Sequence, residues 1–172
     1  MAESLTRPEA IVPKAAAVAA PALSVPFDLI ELLFFAYRDF VGDPDRILAD
    51  YGFGRAHHRV LHFVERRPGL TIAELLDILQ ITKQSLNRVL KELVEKGYIE
   101  QRTGRQDKRQ RHLHTTPAGH DLAQRLVQLQ SKRILAALDS IGAEKAETVA
   151  RYLAALIDPS ERLKVHSLLD RP

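Results

Sequence analysis

Apolar positions first follow a helical spacing near residue 28. The run DLIELLFFAYRDFV is apolar on nearly every side, so a helix there needs partners on more than one face. A second helix is predicted over residues 55–67, with Val60, Leu61 and Val64 on one face and a stop at Pro68 and Gly69. The pattern therefore predicts a first helix over about residues 27–41, a linker, and a second, amphipathic helix.

Two further helices follow, separated by a turn of about three residues. TIAELLDILQ carries apolar residues at i, i+3, i+4 and i+7, and Thr71 with Glu74 forms a capping box at its start. Thr82 caps KQSLNRVLKELVEK, whose apolar stripe ends at Gly97, a residue suited to the end of a helix. This arrangement predicts a helix-turn-helix.

The spacing then changes to that of strands. YIEQR and RHLHTT flank the turn TGRQDK and predict a basic β-hairpin. Pro117 fits the first turn of a long helix that runs to about residue 141, and Gly142 separates it from a helix over 143–157. Pro159 ends that helix, and a short final helix is predicted over 160–169. The predicted fold is mainly α with a small β-hairpin wing: a winged helix-turn-helix core with flanking helices.

Composition and charge narrow the function. The chain has no cysteine, which excludes disulfides and thiolate metal sites and is compatible with a cytoplasmic protein. No apolar run approaches the roughly 18 residues of a membrane span, so no membrane association is expected. Residues 82–116 contain nine Lys and Arg but only four Asp and Glu. The excess of positive charge in this segment is therefore larger than the net charge of +3 of the whole chain. Such a patch is typical of a nucleic-acid surface, although a solvated face is the alternative.

The second helix of the helix-turn-helix carries a polar face opposite its leucine stripe. Gln84, Asn87, Arg88 and Lys91 share that face, and Lys83 and Ser85 lie in the first turn. Asn and Gln suit adenine edges, Arg suits guanine, and Ser, Thr and Lys suit phosphates. We therefore predict that residues 82–96 form a recognition helix for the major groove of double-stranded DNA.

The run KGYIEQRTGRQDKRQRHLHTTPAG, residues 96–119, resembles the wing of the MarR family of transcriptional regulators, and the order of helices over residues 27–158 is similar. The resemblance implies a homodimer on a palindromic operator that represses or activates transcription. It also implies that Arg109 enters the minor groove, that Asp107 steadies the wing, and that segments 27–41, 119–141 and 143–168 form the dimer. The expected DNA-binding residues are Thr82, Lys83, Gln84, Ser85, Asn87, Arg88, Lys91, Arg102, Arg105, Asp107, Lys108, Arg109 and Arg111.

These predictions divide the chain into four segments. Residues 1–25 are rich in Ala and Pro and predict a disordered tail. Residues 26–54 would hold the N-terminal dimerisation helix and linker, 55–116 the winged helix-turn-helix domain with its wing at 98–116, and 117–172 the C-terminal dimerisation helices.

A ligand site is implied by the same resemblance, between the dimer helices and the DNA-binding core. Its expected residues are Phe34, Tyr37, Arg55, His58, Arg59 and His62, and its expected ligand is a small aromatic or amphipathic molecule, plausibly an anion. The aromatic residues Phe27, Phe34, Phe35, Tyr37 and Phe40 are most simply dimer core. No resident cofactor is expected.

The histidines leave an alternative open. His58 and His62 are spaced i, i+4 and could chelate a metal ion or haem from one helical face. Two ligands make an incomplete site, however, and His57 is better interpreted as a hydrogen-bonded core residue. A pH-responsive interface is a further option. His112 and His114 alternate along a strand and are expected to face the surroundings of the wing.

Two other classes of function compete with a DNA-binding regulator. A winged helix could serve only as a protein-interaction module, but such a module would expose apolar residues where this chain has Gln84, Asn87 and Arg88. An enzyme is disfavoured because the sequence holds no Gly-rich phosphate loop, no complete metal triad and no nucleophile arrangement.

Overall fold

The computed structural model describes residues 27–104 and 110–170. The predicted tail at 1–25 lies outside the described residues, as do residues 105–109 of the predicted wing, which include the expected DNA contacts Arg105, Asp107, Lys108 and Arg109. None of the described helices is both long and apolar enough to cross a membrane.

The first helix, α1 (Phe27–Asp50), extends beyond its predicted end near residue 41 and takes up most of the predicted linker. It continues through Pro44, which lacks the N–H that a helix interior uses. Val41, Pro44 and Leu48 lie at helical spacing and are buried, so packing of this stripe offsets the lost hydrogen bond. The chain divides within α1 into two compact units, residues 1–36 and 37–172, and the core, sheet and cavity described below belong to the second.

The next three helices confirm the predicted pattern: α2 (Arg55–Arg66), α3 (Ile72–Leu79) and α4 (Lys83–Glu95). The capping box of α3 is formed, because the Glu74 N–H donates to Thr71 Oγ1 at 3.2 Å and the Thr71 N–H donates to Glu74 Oε2 at 2.8 Å. Gly97 follows α4 with a φ of 77°, a left-handed conformation that favours glycine.

A three-stranded antiparallel sheet completes the winged fold, in the order β1 (Leu70–Thr71), β3 (Arg111–Thr115), β2 (Ile99–Thr103). The predicted hairpin strands are present, with Gln101 opposite Leu113. The sequence did not predict β1, since two residues are too short to show strand periodicity. It pairs with β3 through Leu70 and Leu113.

The C-terminal part is helical, as the sequence predicted. Helix α5 (Pro117–Ile141) begins with proline in its first turn, and Thr116 caps it by accepting the Gly119 N–H at 3.1 Å. Gly142, a short 3₁₀ turn (Ala143–Lys145), α6 (Ala146–Ala155) and α7 (Arg162–Leu169) follow.

One hydrophobic core joins these elements, with α2 at its centre. Helix α2 packs against α3, α4, α5 and β3, while only the first turns of α5 reach the core. The buried apolar residues of this core are Leu48, Phe53, Val60, Leu61, Val64, Leu70, Leu75, Leu79, Leu86, Val89, Leu90, Leu93, Ile99, Leu113, Leu122, Ala123 and Leu126.

Candidate nucleic-acid interface and adjacent cavity

Helix α4 buries one face and exposes the other. Leu86, Val89, Leu90 and Leu93 are buried, and they fix the rotation of the helix about its axis. The opposite face is therefore presented to solvent. Every residue that the sequence predicted as a DNA contact on this helix and its cap is exposed: Thr82, Lys83, Gln84, Ser85, Asn87, Arg88 and Lys91.

The start of α4 is held by its cap. Thr82 Oγ1 accepts the Ser85 N–H at 3.2 Å and donates to Ser85 Oγ at 2.9 Å. The side chains of Gln84, Asn87 and Arg88 make no hydrogen bond or ion pair to any residue within 27–104 and 110–170, so their polar groups are available to a partner. Lys91 lies 3.6 Å from Glu95, an exposed pair that contributes little to stability.

His57 ties α4 to α2. The Gly54 N–H donates to its Nδ1 at 3.1 Å, so Nε2 carries the ring proton and donates to Glu92 Oε2 at 2.9 Å. The ring also stacks on Phe53 with centroids 4.7 Å apart, and the side chain is only 13% exposed. The sequence interpretation of His57 as a hydrogen-bonded residue is confirmed, but the side chain is only partly buried and lies outside the set of buried core residues.

The described part of the wing is basic and exposed. Arg102 donates to Glu100 Oε1 at 2.9 Å, and Arg111 donates to Thr103 Oγ1 at 2.6 Å. His112 Nδ1 lies 2.8 Å from the carbonyl oxygen of Gly69 and donates to it, which links β3 to the chain before β1. The predicted contacts Arg105, Asp107, Lys108 and Arg109 fall outside the described residues.

Glu65 joins α2 to both the wing and α5. Thr115 Oγ1 donates to its Oε2 at 2.8 Å, and His120 Nδ1 lies 2.7 Å from its Oε1, with Gln124 Nε2 at 3.3 Å. Burial alone would raise the pKa of Glu65, but the hydrogen bonds from Thr115, His120 and Gln124 outweigh it and lower the pKa. Sequence reasoning missed this residue, since nothing in the local pattern marks a carboxylate whose partners lie about 50 residues away.

A cavity of about 270 Å³ lies beside α2. It contains four of the six predicted ligand-site residues, Tyr37, His58, Arg59 and His62, but Arg55 instead donates to Asp45 Oδ2 at 2.7 Å. Phe34, in the first unit, is 68% exposed. The residues that line the cavity are Tyr37, Phe40, Val41, His58, Arg59, His62, Phe63 and Gln130.

The two cavity histidines favour their neutral forms. Burial lowers the pKa of His58, and repulsion from His62 lowers it further. Burial also lowers the pKa of His62, with Arg66 and Arg67 adding to the effect. Their rings meet edge to face with centroids 6.5 Å apart. Over the described residues, no three His, Cys, Asp or Glu side chains come together as candidate metal ligands.

Arg59 connects the cavity to the helix-turn-helix. Its Nη2 donates to the carbonyl oxygen of Leu79, the last residue of α3, at 2.9 Å. Gln80 follows in the left-handed region with a φ of 52°, and α4 begins three residues later. A cation at the C-terminus of a helix also interacts favourably with the helix dipole. The sequence suggested Arg59 only as a ligand-site residue.

This combination of a buried three-helix core, a capped helix-turn-helix with an exposed polar face and a three-stranded sheet with a basic hairpin defines a winged helix-turn-helix DNA-binding protein. The MarR family model matches residues 51–110. The chain is also 48% identical to the HTH-type transcriptional regulator PetP of Rhodobacter capsulatus over 141 residues, which cover 82% of this chain and 85% of that protein. The chain therefore belongs to the MarR family, a family of transcriptional regulators that are not enzymes.

Solved structures share the fold. Streptococcus pneumoniae FabT in complex with DNA matches with a TM-score of 0.68 at 20% identity, covering 76% of this chain and 93% of that one. The S. aureus MepR–DNA complex matches with a TM-score of 0.61 at 18% identity, covering 74% and 94%.

Proposed function

We propose that this protein is a homodimer that binds a palindromic operator in the cytoplasm, with α4 in the major groove and the wing in the minor groove of each half-site. The observation that carries the proposal is the solvent-exposed polar face of α4, opposite four buried apolar residues. FabT and MepR, which share the fold, have been solved with DNA.

The division of contacts within the interface follows from position. Gln84, Asn87 and Arg88 would read base edges, because they carry the donors and acceptors that adenine and guanine require. Thr82, Lys83, Ser85 and Lys91 would contact phosphates, which fix register without reading sequence. Arg102 and Arg111 would contact the DNA backbone beside the wing. Asp107 would steady the wing tip, and Arg105 and Lys108 would add positive charge.

Arg109 would enter the minor groove and read its width. A guanidinium prefers narrow, electronegative minor grooves, so this contact would favour A·T-rich flanks without identifying single bases. A second copy of the chain would place the other α4 about one helical turn, roughly 10 bp, along the DNA.

The cavity beside α2 would hold a small effector. Its volume of about 270 Å³ suits a single-ring molecule, and Tyr37, Phe40 and Phe63 supply apolar and aromatic walls. Because His58 and His62 favour their neutral forms, Arg59 is the one formally charged side chain among the described residues that line the cavity. We therefore propose an aromatic or amphipathic organic anion that binds one conformation of the dimer better than the other.

The DNA contacts can be tested on an operator selected from a randomised duplex pool. Fluorescence anisotropy would compare wild type, Arg88→Ala and Arg109→Ala on the operator and on a scrambled duplex over a salt series. Arg88→Ala should lose about 1–3 kcal/mol of discrimination, because it removes a base contact. Arg109→Ala should weaken both duplexes and reduce the slope of log K against log salt by about 0.9 per arginine lost.

Equal losses of discrimination in the two variants, with an unchanged salt slope, would show that the assignment of base-reading helix and shape-reading wing is wrong. Absence of any preference of the wild type for selected over scrambled DNA would contradict the proposed function itself.

A further inference from the structure

The C-terminal end of α3 is contacted by side chains from two distant parts of the chain. Arg59, from α2, donates to the carbonyl of Leu79 at 2.9 Å. Lys164, from α7, donates to the carbonyl of Asp77 at 2.8 Å and pairs with Asp77 Oδ1 at 2.7 Å. Both cations lie at the negative end of the helix dipole, where they stabilise the last turn of α3.

The position of this helix end determines where α4 begins. Leu79 is 2% exposed within the core, and only Gln80 and Ile81 separate it from Thr82, the cap of α4. Gln80 lies in the left-handed region, which is sparsely populated by residues other than glycine and persists where the surroundings hold it. The turn is thus a short, constrained connection, and a shift of its first residue is transmitted to the start of the recognition helix.

Arg59 also lines the cavity, so one side chain contacts both the cavity and the Leu79 carbonyl. An organic anion in the cavity would compete for this group, because a charge-assisted bond to a carboxylate is stronger than a bond to a neutral carbonyl. The aromatic wall of Tyr37, Phe40 and Phe63 would hold the rest of such a ligand.

We propose that Arg59 is the residue through which occupancy of the cavity reaches the recognition helix: an aromatic carboxylate draws its guanidinium from the Leu79 carbonyl and loosens the turn before α4. This proposal depends on the proposed function, because its effect is measured as a change in affinity for operator DNA. Lys164 still holds the same helix end after this change, so the turn loosens while the core stays folded.

The test compares two charge-removing variants on the same helix. Arg59→Met removes the contact with Leu79 and keeps an unbranched apolar side chain in place of the aliphatic part of arginine. Arg55→Met, four residues earlier, is the matched control, because Arg55 does not line the cavity and forms an exposed ion pair with Asp45. Benzoate is the probe, and benzamide is its uncharged counterpart.

Operator affinity would be measured by anisotropy for each variant with and without these compounds. Wild type and Arg55→Met should bind alike and lose about fivefold or more in affinity with saturating benzoate, the lower range of typical coupling between sites, with no response to benzamide. Arg59→Met should bind the operator weakly without ligand and should not respond to benzoate. Hydrogen exchange at residues 80–82 should rise with benzoate in wild type and already be raised in Arg59→Met.

The proposal would be overturned if Arg59→Met bound the operator as tightly as wild type, or if benzoate weakened operator binding by that variant as much as by wild type. It would also be overturned if benzoate left the operator affinity of wild type unchanged. Failure of the proposed function gives a different result, since the wild type would then show no preference for operator over scrambled DNA. The exchange of residues 80–82 would in that case still decide whether Arg59 couples the cavity to the turn.

Discussion

Gly119 lies where the first turn of α5 passes the backbone that joins α4 to β2. A Cβ atom added at this position would lie 1.9 Å from the carbonyl oxygen of Tyr98, closer than any real contact. The same oxygen accepts the Thr116 N–H at 3.1 Å, and the Thr116 hydroxyl donates to the Gly97 carbonyl at 2.6 Å. The glycine is therefore required by close approach between two backbone segments.

Gly119→Ala should destabilise the fold by about 3 kcal/mol, the upper part of the usual range for overpacking, because the obstacle is backbone and cannot rotate away. Urea unfolding followed by circular dichroism would measure the change. Gly42→Ala is the control: it lies inside α1, where an added Cβ meets only a distal atom of Arg46 at 3.9 Å, and stability should be equal or slightly higher. Equal midpoints for wild type and Gly119→Ala would show that α5 is free to move away from Tyr98.

At the scale of elements, α2, β3 and α5 meet at one carboxylate. Glu65 is 16% exposed and accepts hydrogen bonds from Thr115 on β3 and from His120 and Gln124 on α5. Its removal would leave these donors without their shared acceptor and separate the base of the wing from α5. Hydrogen bonds to charged groups contribute more than neutral ones, so the junction is a substantial local stabiliser.

Glu65→Ala should lower the free energy of unfolding at pH 7 by about 2 kcal/mol. Since the pKa of Glu65 is lowered on folding, its contribution is present above the ordinary carboxyl pKa of 4.5 and is lost as the pH falls through the lowered value. The difference between wild type and variant should thus shrink on acidification, which urea titrations at pH 7 and at successively lower pH would follow. Glu95→Ala, which removes an exposed partner of Lys91, should change stability little at any pH. A constant difference across the series would mean that the charge of Glu65 does not contribute.

Helix starts were predicted where a capping residue or a proline next to the helix marks them in the sequence. Thr71 and Thr82 cap α3 and α4 as predicted, and Pro117 marked the first turn of α5, so the starts of these three helices were predicted correctly. The cap that Thr116 provides for α5 was not predicted. The end of α1 was not predicted either, because burial of Pro44 and Leu48 overrides the helix-breaking tendency of proline.

Prediction failed where contacts join residues far apart in sequence. Strand β1 exists only through its pairing with β3, and the roles of Glu65 and Arg59 depend on partners in other elements. Four of the six predicted ligand-site residues nevertheless line one cavity. His58, Arg59 and His62 lie close together in sequence on α2, and Tyr37 of α1 lines the same cavity.

At the scale of the whole molecule, apolar surface is concentrated on the helices that flank the winged domain. The first turns of α1 expose Phe27, Phe34 and Phe35, which belong to the first unit. In the second unit α5, α6 with the residue that follows it, and α7 expose a further set: Ile134, Leu135, Ile141, Tyr152, Leu153, Leu156, Leu163 and Leu169. Apolar surface of this extent is unusual for a monomer and is typical of an interface between subunits.

The protein should therefore have twice the mass of its 19.3 kDa chain in solution without DNA. Leu153→Glu places a charge on α6 at a side chain that is 53% exposed in the single chain, so it should fold normally and dissociate the dimer, because burying an unpaired carboxylate at an interface is costly. Sedimentation velocity at micromolar concentration would give the mass, and anisotropy on the operator would give the affinity. Operator binding should fall with dimerisation, because one subunit reaches only one half-site.

Lys91→Glu serves to distinguish a loss of DNA contacts from a loss of dimerisation. It reverses a charge on the exposed face of α4, so it should weaken DNA binding through repulsion from phosphates while the mass stays that of a dimer. A wild-type chain that sediments as a monomer would contradict the proposed assembly. If Leu153→Glu remained dimeric with full operator affinity, the apolar surface of α6 would lie outside the interface, and the same substitution at Leu135 on α5 would then locate it.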